Sequence, residues 1–150
     1  MPAPIASPTP FSADATTTVT VYLPRGDLTA LAPTDVKVPK ERSPLGTWVA
    51  SLVEALSVPA GPDTVPIFPA GTRPRTAFLG EDGTVYVDLP SASLQSSTAG
   101  IQLEMLAVEG FAKTILSNVE NSRRLKILAD GTDREAFWGH VYVRRPIEIR

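Results

Sequence analysis

Three segments of the chain are predicted to be β-strands, and the first of them alternates apolar and polar residues, which is the pattern of a half-buried strand. The first is Thr17 to Leu23, and the other two, Arg75 to Leu79 and Thr84 to Leu89, flank the dipeptide Asp82-Gly83. Because Asp-Gly tolerates the positive φ of tight turns, the latter two strands are predicted to form a hairpin. A short extended piece is also expected at Val36 to Val38.

Two further segments repeat apolar residues at the spacing of an amphipathic helix. In the first, Ser43 as a cap and Pro44 at the first helical position predict a helix over Leu45 to Leu56. In the second, five apolar residues are predicted to share one face: Ile101, Met105, Val108, Ala112 and Ile115. Gly110 in the middle of this helix costs about 1 kcal/mol relative to alanine, which predicts close packing against a neighbouring element.

The remaining segments complete the predicted order of strand, helix, strand, strand, helix, strand. Leu125 to Ala129 reads as a strand, and Val141 to Val143 is predicted as an extra C-terminal edge strand before Pro146. Residues 59–74 contain five prolines and predict an irregular surface crossing. The chain is therefore expected to be an α+β domain, with two helices packed on one face of a small mixed sheet and the other face open.

Composition indicates one ordinary globular domain. With 150 residues, of which 43% are hydrophobic and 20% charged, the chain can bury a single core, assigned here to residues 17–150. Met1 to Thr16 holds four prolines with Ala, Ser and Thr, so it is predicted to be a disordered linker. That linker lacks the basic start and apolar run of a signal peptide, and we hypothesise that the natural protein carries an anchor or signal before Met1.

Few kinds of chemistry fit the remaining residues. Net charge of −2 disfavours nucleic-acid binding, and zero cysteine excludes thiol nucleophiles and thiolate metal sites. His140 is the only histidine, and no Gly-x-Ser-x-Gly motif presents a serine to it. Asp130, Asp133 and Glu135 lack the spacing of a calcium loop. We therefore expect no enzymatic activity, with no catalytic residue, no cofactor and no metal.

Each of the three tyrosines follows a valine in a predicted strand: Tyr22, Tyr86 and Tyr142. Because side chains alternate across a sheet, the three rings are predicted to point together from the open face. Polar residues of the same parity would complete a partner-binding patch: Thr20, Asp88, His140 and Arg144. The alternative is that tyrosine is simply a favourable outward residue of a strand.

Several short motifs follow one another in a characteristic order. They are Val19 to Leu23, Leu45 to Leu56, Pro69 to Thr72, Asp82 to Leu89, Lys113 to Leu116, Leu125 to Gly131, and Gly139-His140 with Arg145-Pro146. In this order and spacing, the chain resembles the GerM domain of sporulation and spore germination proteins and of some bacterial envelope lipoproteins.

The resemblance implies a small α+β domain, similar to ring-building domains, without established catalytic residues. It also implies a protein tethered outside the cytoplasmic membrane. We expect a non-catalytic interaction or scaffold domain that uses its open sheet face or an exposed edge strand. Its partner would be another protein or a second copy, with no nucleic acid, and with a membrane only through an anchor.

Two alternatives to an interaction domain remain open. In the first, the proline-rich segment 59–74 and the sheet bound a pocket, and the domain is an extracytoplasmic sensor of a small ligand or cell-wall fragment. The second is a hydrolase, which requires a deep cleft that places His140 against a serine and a carboxylate.

Overall fold

The computed structural model describes residues 15–95 and 100–149 of the chain. Most of the predicted linker, Met1 to Thr16, lies outside the described residues. Within them, two helices combine with two β-sheets, which confirms the predicted α+β class. None of the described helices has the length and apolar character needed to cross a membrane.

The first sheet is a long antiparallel pair. Strand β1 (Thr16–Pro24) is the predicted first strand, and its buried residues alternate along the chain: Val19, Val21 and Leu23. Its partner β2 (Leu31–Pro39) runs beside it over the full nine residues. The short extended piece expected at Val36 to Val38 is therefore part of a full strand, and the predicted order gains one element.

The first helix, α1 (Leu45–Ala55), lies where the apolar spacing predicts it. It buries four residues: Trp48, Val49, Leu52 and Val53. The helix begins after Pro44, which occupies the N-cap with extended backbone, and no side chain of residues 15–95 or 100–149 caps it. The predicted cap by Ser43 was therefore wrong. Residues 59–74 then cross to the next strand without a named helix or strand, as predicted.

Strands β3 (Thr76–Leu79) and β4 (Thr84–Leu89) form the predicted hairpin, with Phe78 opposite Tyr86. At the turn, Gly83 has a φ of 86°. Glycine adopts this left-handed backbone without a β-carbon penalty, which explains the turn signal in the sequence.

Helix α2 (Ile101–Asn118) connects β4 to the parallel strand β5 (Arg124–Ala129). Ile101 and Met105, which were predicted on the buried face, are 53% and 58% exposed. The buried stripe instead includes Glu104, so the helix is rotated relative to the face that apolar residues alone predict. The other three predicted core residues of this helix are buried: Val108, Ala112 and Ile115.

The second sheet has the strand order β3-β4-β5-β6, and β7 also pairs with β5. Strands β6 (Thr132–Asp133) and β7 (Ile147–Glu148) are short and antiparallel to β5. The residues of β4 and β5 that face the helices are fully buried apolar side chains: Val85, Val87, Leu89, Leu125 and Ile127.

The C-terminal edge strand lies later than predicted. Residues 141–143 pair locally, with the N–H of Val143 donating to the carbonyl of Glu135 at 2.8 Å and Tyr142 bridging to Ala136. This local pairing satisfies the backbone groups that a sheet edge would otherwise satisfy. The expectation of an edge strand at Val141 to Val143 was therefore wrong, and β7 takes that role.

Helix α2 joins the two sheets by binding the backbone of β1. The N–H of Tyr22 donates to Oγ1 of Thr114 at 2.9 Å, and Nδ2 of Asn118 donates to the carbonyl of Thr20 at 3.0 Å. Gly110 lies against the same strand, since an added β-carbon would collide with the carbonyl of Tyr22. The close packing predicted for Gly110 is confirmed, but the single predicted sheet is replaced by two sheets with a helix between them.

Candidate interaction surface

Among the described strands, β3 is an edge strand that is hydrogen-bonded to β4 alone. Its four residues, Thr-Ala-Phe-Leu, include no charge and no proline. Phe78 and Leu79 are large apolar residues that are 52% and 37% exposed. Natural proteins ordinarily block such an edge with charged residues or proline, because an uncharged edge is a template for pairing with another chain. The edge of β3 is therefore the candidate interaction surface.

The other described strands have covered or blocked edges. Side chains of α2 bind the outer edge of β1. Strand β2 contains Pro33, Lys37 and Pro39, which oppose the addition of another strand. Strand β5 is paired on both sides, while β6 and β7 have two residues each.

The pairing of β3 with β4 indicates which backbone groups face outward. The N–H of Gly80 donates to the carbonyl of Thr84 at 2.8 Å, so these two residues are a hydrogen-bonded pair. Such pairs recur at every second residue of an antiparallel ladder, and Phe78 belongs to the next one. Ala77 and Leu79 consequently direct their N–H and C=O groups toward the unpaired edge.

An aromatic pair lies next to this edge. The rings of Phe78 and Tyr86 are stacked with 4.6 Å between centroids and 15° between planes. The pair lies on the sheet face opposite the helices, because Tyr86 alternates with the buried residues Val85 and Val87 and Phe78 lies directly opposite Tyr86. Aromatic side chains of this kind supply large contact areas at protein interfaces.

A groove of about 380 Å³ runs beside β3, between that strand, the start of α1 and the end of α2. Its wall includes Trp48, whose Nε1 donates to the carbonyl of Asn118 at 2.7 Å. The guanidinium of Arg42 lies over the Trp48 ring, 4.7 Å from its centroid. These contacts fix the wall, so an apolar groove is already formed beside the exposed edge.

The three tyrosines do not share one sheet face, so that part of the prediction was wrong. Tyr22 lies in the two-stranded sheet, where Nζ of Lys113 is 4.8 Å from its ring centroid. Tyr86 lies in the five-stranded sheet, and Tyr142 lies outside the named strands. The valine-tyrosine pattern is local, whereas the assignment of strands to sheets depends on contacts distant in sequence. Partner binding by each tyrosine stays a prediction.

The polar residues predicted to join this patch are also dispersed. Thr20 donates through Oγ1 to Asp35 at 2.8 Å. Asp88 is buried and accepts the N–H of Gly131 at 2.9 Å, which closes the turn after β5. The carbonyl of Arg144 accepts a hydrogen bond from Lys126 of β5.

The sheet face opposite the helices is less open than predicted. Thr84, Asp88 and Lys126 of this face are buried. Nζ of Lys126 also lies 3.1 Å from Oδ1 of Asp133. The segment after β5 therefore covers this part of the sheet.

The predicted site residue His140 belongs to a cluster built on Glu104, which sequence reasoning missed. Glu104 is only 1% exposed. Its Oε2 accepts the backbone N–H groups of Trp138, His140 and Val141 at 2.9, 3.0 and 2.6 Å, and Oε1 lies 3.1 Å from Nδ1 of His140. One carboxylate thus fixes residues 138–141 onto α2. A glutamate on the apolar side of a helix is the signal that could have found it.

The pKa of Glu104 follows from this geometry. Burial raises the pKa because it penalises the charged carboxylate. Hydrogen bonds from the backbone of Val141, Trp138 and His140 and from the His140 ring outweigh burial, and they hold the pKa below its ordinary value. The carboxylate is therefore charged at neutral pH and acts as a structural acceptor. Within residues 15–95 and 100–149, no three His, Asp or Glu side chains cluster as a metal site would require.

The proline-rich segment borders a shallow depression of about 380 Å³. Its walls are mainly apolar and include Ile67, Phe68 and Trp138. The hydroxyl of Ser93 in this depression already donates to the carbonyl of Pro90 at 2.6 Å. The convergent polar groups that would favour a ligand-sensing pocket are not apparent in this described part of the surface.

A family model described as Germane, sporulation and spore germination, matches residues 20–135. The chain belongs to the Germane family. The match includes both helices and every strand from β2 to β6, with most of β1, and it confirms the resemblance to the GerM domain. A comparison with curated proteins found no match to the sequence.

Solved structures share the fold of this Germane chain. The tandem GerMN domains of the sporulation protein GerM from Bacillus subtilis align with a TM-score of 0.67 at 17% identity, covering 89% of this chain and 46% of that chain. The first GerMN domain of the same protein aligns with a TM-score of 0.62 at 17% identity, covering 88% of this chain and 94% of that one. This chain therefore spans about half the length of the tandem structure.

A putative lipoprotein from Clostridium perfringens has the same fold, with a TM-score of 0.58 at 16% identity. The alignment covers 92% of this chain and 91% of the clostridial chain. Similar structures thus include a sporulation protein and a chain named as a lipoprotein, and at these identities they establish the fold alone.

Proposed function

We propose that this Germane chain is a non-catalytic protein-interaction domain of a sporulation or cell-envelope protein, and that it docks its partner along the edge of β3. The observation that carries the proposal is the uncharged edge itself, with Phe78 and Leu79 exposed. A strand added there gains backbone hydrogen bonds, and side-chain contacts beside it give specificity.

Two neighbouring features support this edge as the docking surface. The stacked Phe78 and Tyr86 rings offer an aromatic contact on one face of the sheet. The groove beside Trp48 offers apolar contacts on the other side of the strand. A partner strand would therefore find both backbone and side-chain contacts in one place.

The roles of Glu104 and His140 support the non-catalytic part of the proposal. The carboxylate that contacts the imidazole also accepts three backbone N–H groups, so its position serves the attachment of residues 138–141 to α2. A general acid or base must instead change its protonation state during turnover.

We further propose that the domain acts outside the cytoplasmic membrane, in a protein anchored there. The family description, sporulation and spore germination, supports this location, and so does the structural likeness to a chain named as a putative lipoprotein. Protease accessibility of the full-length protein in intact protoplasts tests this part, because an intracellular domain would be protected.

Site-specific photocrosslinking tests the docking surface. A photoreactive phenylalanine analogue replaces Phe78 in the full-length protein, within the cells that produce it. We expect a covalent adduct with a protein partner, and we expect Leu79→Lys in the same chain to abolish it, because a charged edge opposes strand addition.

Met105 provides the matched control position, since it is an exposed apolar residue of α2 outside β3. The same analogue at that position should give no Leu79→Lys-sensitive adduct. An adduct from position 78 that persists in the Leu79→Lys chain, or no adduct above the Met105 control, would contradict docking at β3.

A further inference from the structure

The residues at the two ends of β3 carry opposite charges. Arg73 and Arg75 precede the strand, Glu81 and Asp82 follow it, and all four are exposed. In an antiparallel pair of identical strands, the beginning of one strand lies beside the end of the other. Two copies of this edge would therefore place basic residues next to acidic residues at both ends.

We infer that the edge of β3 pairs antiparallel with the β3 edge of a second copy of this chain, across a two-fold axis. The inference rests on the proposed function, because it names the occupant of the same docking surface. A second copy fits better than an arbitrary strand, since the edge is complementary to itself in charge and in hydrogen-bonding register.

The outward-facing backbone groups select the register. Ala77 and Leu79 point to the unpaired edge, so each must form hydrogen bonds with an outward-facing residue of the second copy. Pairing Ala77 with Leu79 of the second copy satisfies this requirement at both positions and places the two-fold axis at Phe78. Arg75 lies directly before the strand, and Glu81 lies in the turn that follows it. This register therefore brings the Arg75 end of one copy beside the Glu81 end of the other, and the two-fold axis repeats this approach of opposite charges.

Side chains around this axis are also complementary. The two Phe78 rings become direct cross-strand neighbours, in the pair type where side chains approach most closely. Each Phe78 already stacks on Tyr86, so four rings would form one row. On the other side of the strands, Leu79 of the second copy lies opposite the small Ala77, beside the groove that contains Trp48.

The existing contacts of Arg75 leave its guanidinium accessible. Nη1 of Arg75 is 4.0 Å from Oδ2 of Asp88 and 3.8 Å from Oδ1 of Asp130, both beyond hydrogen-bond length, and the side chain is 51% exposed.

A two-fold interface is closed, because pairing consumes the exposed edge of both copies. The predicted product is therefore a dimer and not a fibre.

Sedimentation equilibrium of the purified chain tests the dimer, over concentrations up to about 1 mM so that weak association is visible. We expect a monomer–dimer equilibrium that weakens as salt is added. Arg75→Glu alone and Glu81→Arg alone should each weaken dimerisation by about tenfold, because each converts two attractive pairs into repulsive ones.

A charge swap provides the decisive arm of the experiment. An equimolar mixture of the Arg75→Glu and Glu81→Arg chains should form a mixed dimer of near wild-type affinity, since positions 75 and 81 again bring opposite charges together at both ends of the interface. The double variant should recover self-association for the same reason. Phe78→Lys tests the interface without changing the residues at positions 75 and 81, and this variant should be a monomer. Its thermal unfolding midpoint shows whether the domain still folds.

The outcomes separate this inference from the proposed function. A wild-type chain that stays monomeric at every concentration, or single variants that dimerise as well as wild type, would overturn the dimer. If photocrosslinks at position 78 still join a different protein in cells, docking at β3 stands with a heterologous partner. If the chain neither dimerises in solution nor forms a photocrosslink at position 78 in cells, both the dimer and the proposed function are overturned.

Discussion

The carbonyl oxygen of Tyr22 in β1 lies against the backbone of Gly110 in α2, so that a β-carbon on Gly110 would approach it closer than the 3.0 Å that real β-carbons keep. Thr114 and Asn118 lie one and two turns further along the same helix face and bind the same stretch of strand. A helix thus supplies side-chain partners along the edge of β1 where another strand would supply backbone partners.

Gly110→Ala should lower the free energy of unfolding. The added methyl group must displace β1 or the helix, which costs about 1–3 kcal/mol in a packed interior. This loss exceeds the gain of about 1 kcal/mol in helix propensity. Urea unfolding followed by circular dichroism measures the difference.

Gly46→Ala in α1 is the matched control, because an added β-carbon there meets no atom of the described part of the chain within 4 Å. We expect it to stabilise the domain slightly, by less than about 0.5–1 kcal/mol, because that value applies to the middle of a helix and Gly46 is the second residue of α1. Equal effects of the two substitutions would mean that α2 does not approach β1 as closely as described.

The sequence predicts those features that are encoded locally. The alternation along Thr16–Pro24, the Asp82-Gly83 turn and the apolar stripe of α1 each depend on residues within one segment, and each prediction is confirmed. Gly110 was also interpreted correctly, because a glycine inside a helix is costly unless a neighbour requires it.

Features that depend on distant pairing could not be predicted in the same way. The sequence around Tyr22 does not indicate that the edge of β1 is covered by helix α2 and not by another strand. Residues 141–143 have the composition of an edge strand, yet they pair with residues 135–137. Glu104 was not among the predicted residues, because its burial depends on the backbone amides of residues 138–141, which lie far from it in sequence.

Thr114→Val should destabilise the domain without changing its packing volume. The hydroxyl of Thr114 accepts the N–H of Tyr22, and valine would leave that backbone donor unpaired beside a buried helix. The expected cost is about 1–3 kcal/mol of unfolding free energy, measured by urea unfolding. Thr114→Ser keeps the acceptor and should lose less; if serine and valine cost the same, the hydrogen bond does not contribute.

Glu104→Gln should destabilise the domain at neutral pH. Glutamine keeps one oxygen but loses the charge that strengthens the hydrogen bonds to residues 138–141, at a cost of about 2–3 kcal/mol. Thermal unfolding measures the loss. Glu109→Gln, on the exposed face of the same helix, should change the midpoint little; a comparable loss there would assign the effect to net charge.

The contribution of Glu104 should also disappear in acid. Its pKa is lowered in the folded state, so the unfolded chain binds a proton to this carboxyl more readily than the folded chain does. The stabilisation is therefore complete above the unfolded pKa, about 4.3, and is lost as pH falls through the lower folded value.

Asp27, Asp82 and Asp130 also have lowered pKa values, but these three residues are the same in wild type and in Glu104→Gln. The difference in unfolding free energy between these two proteins, measured by urea unfolding from pH 7 to below 4, should consequently shrink toward low pH. A difference that stays constant over this range would show that Glu104 acts through its shape and not through its charge.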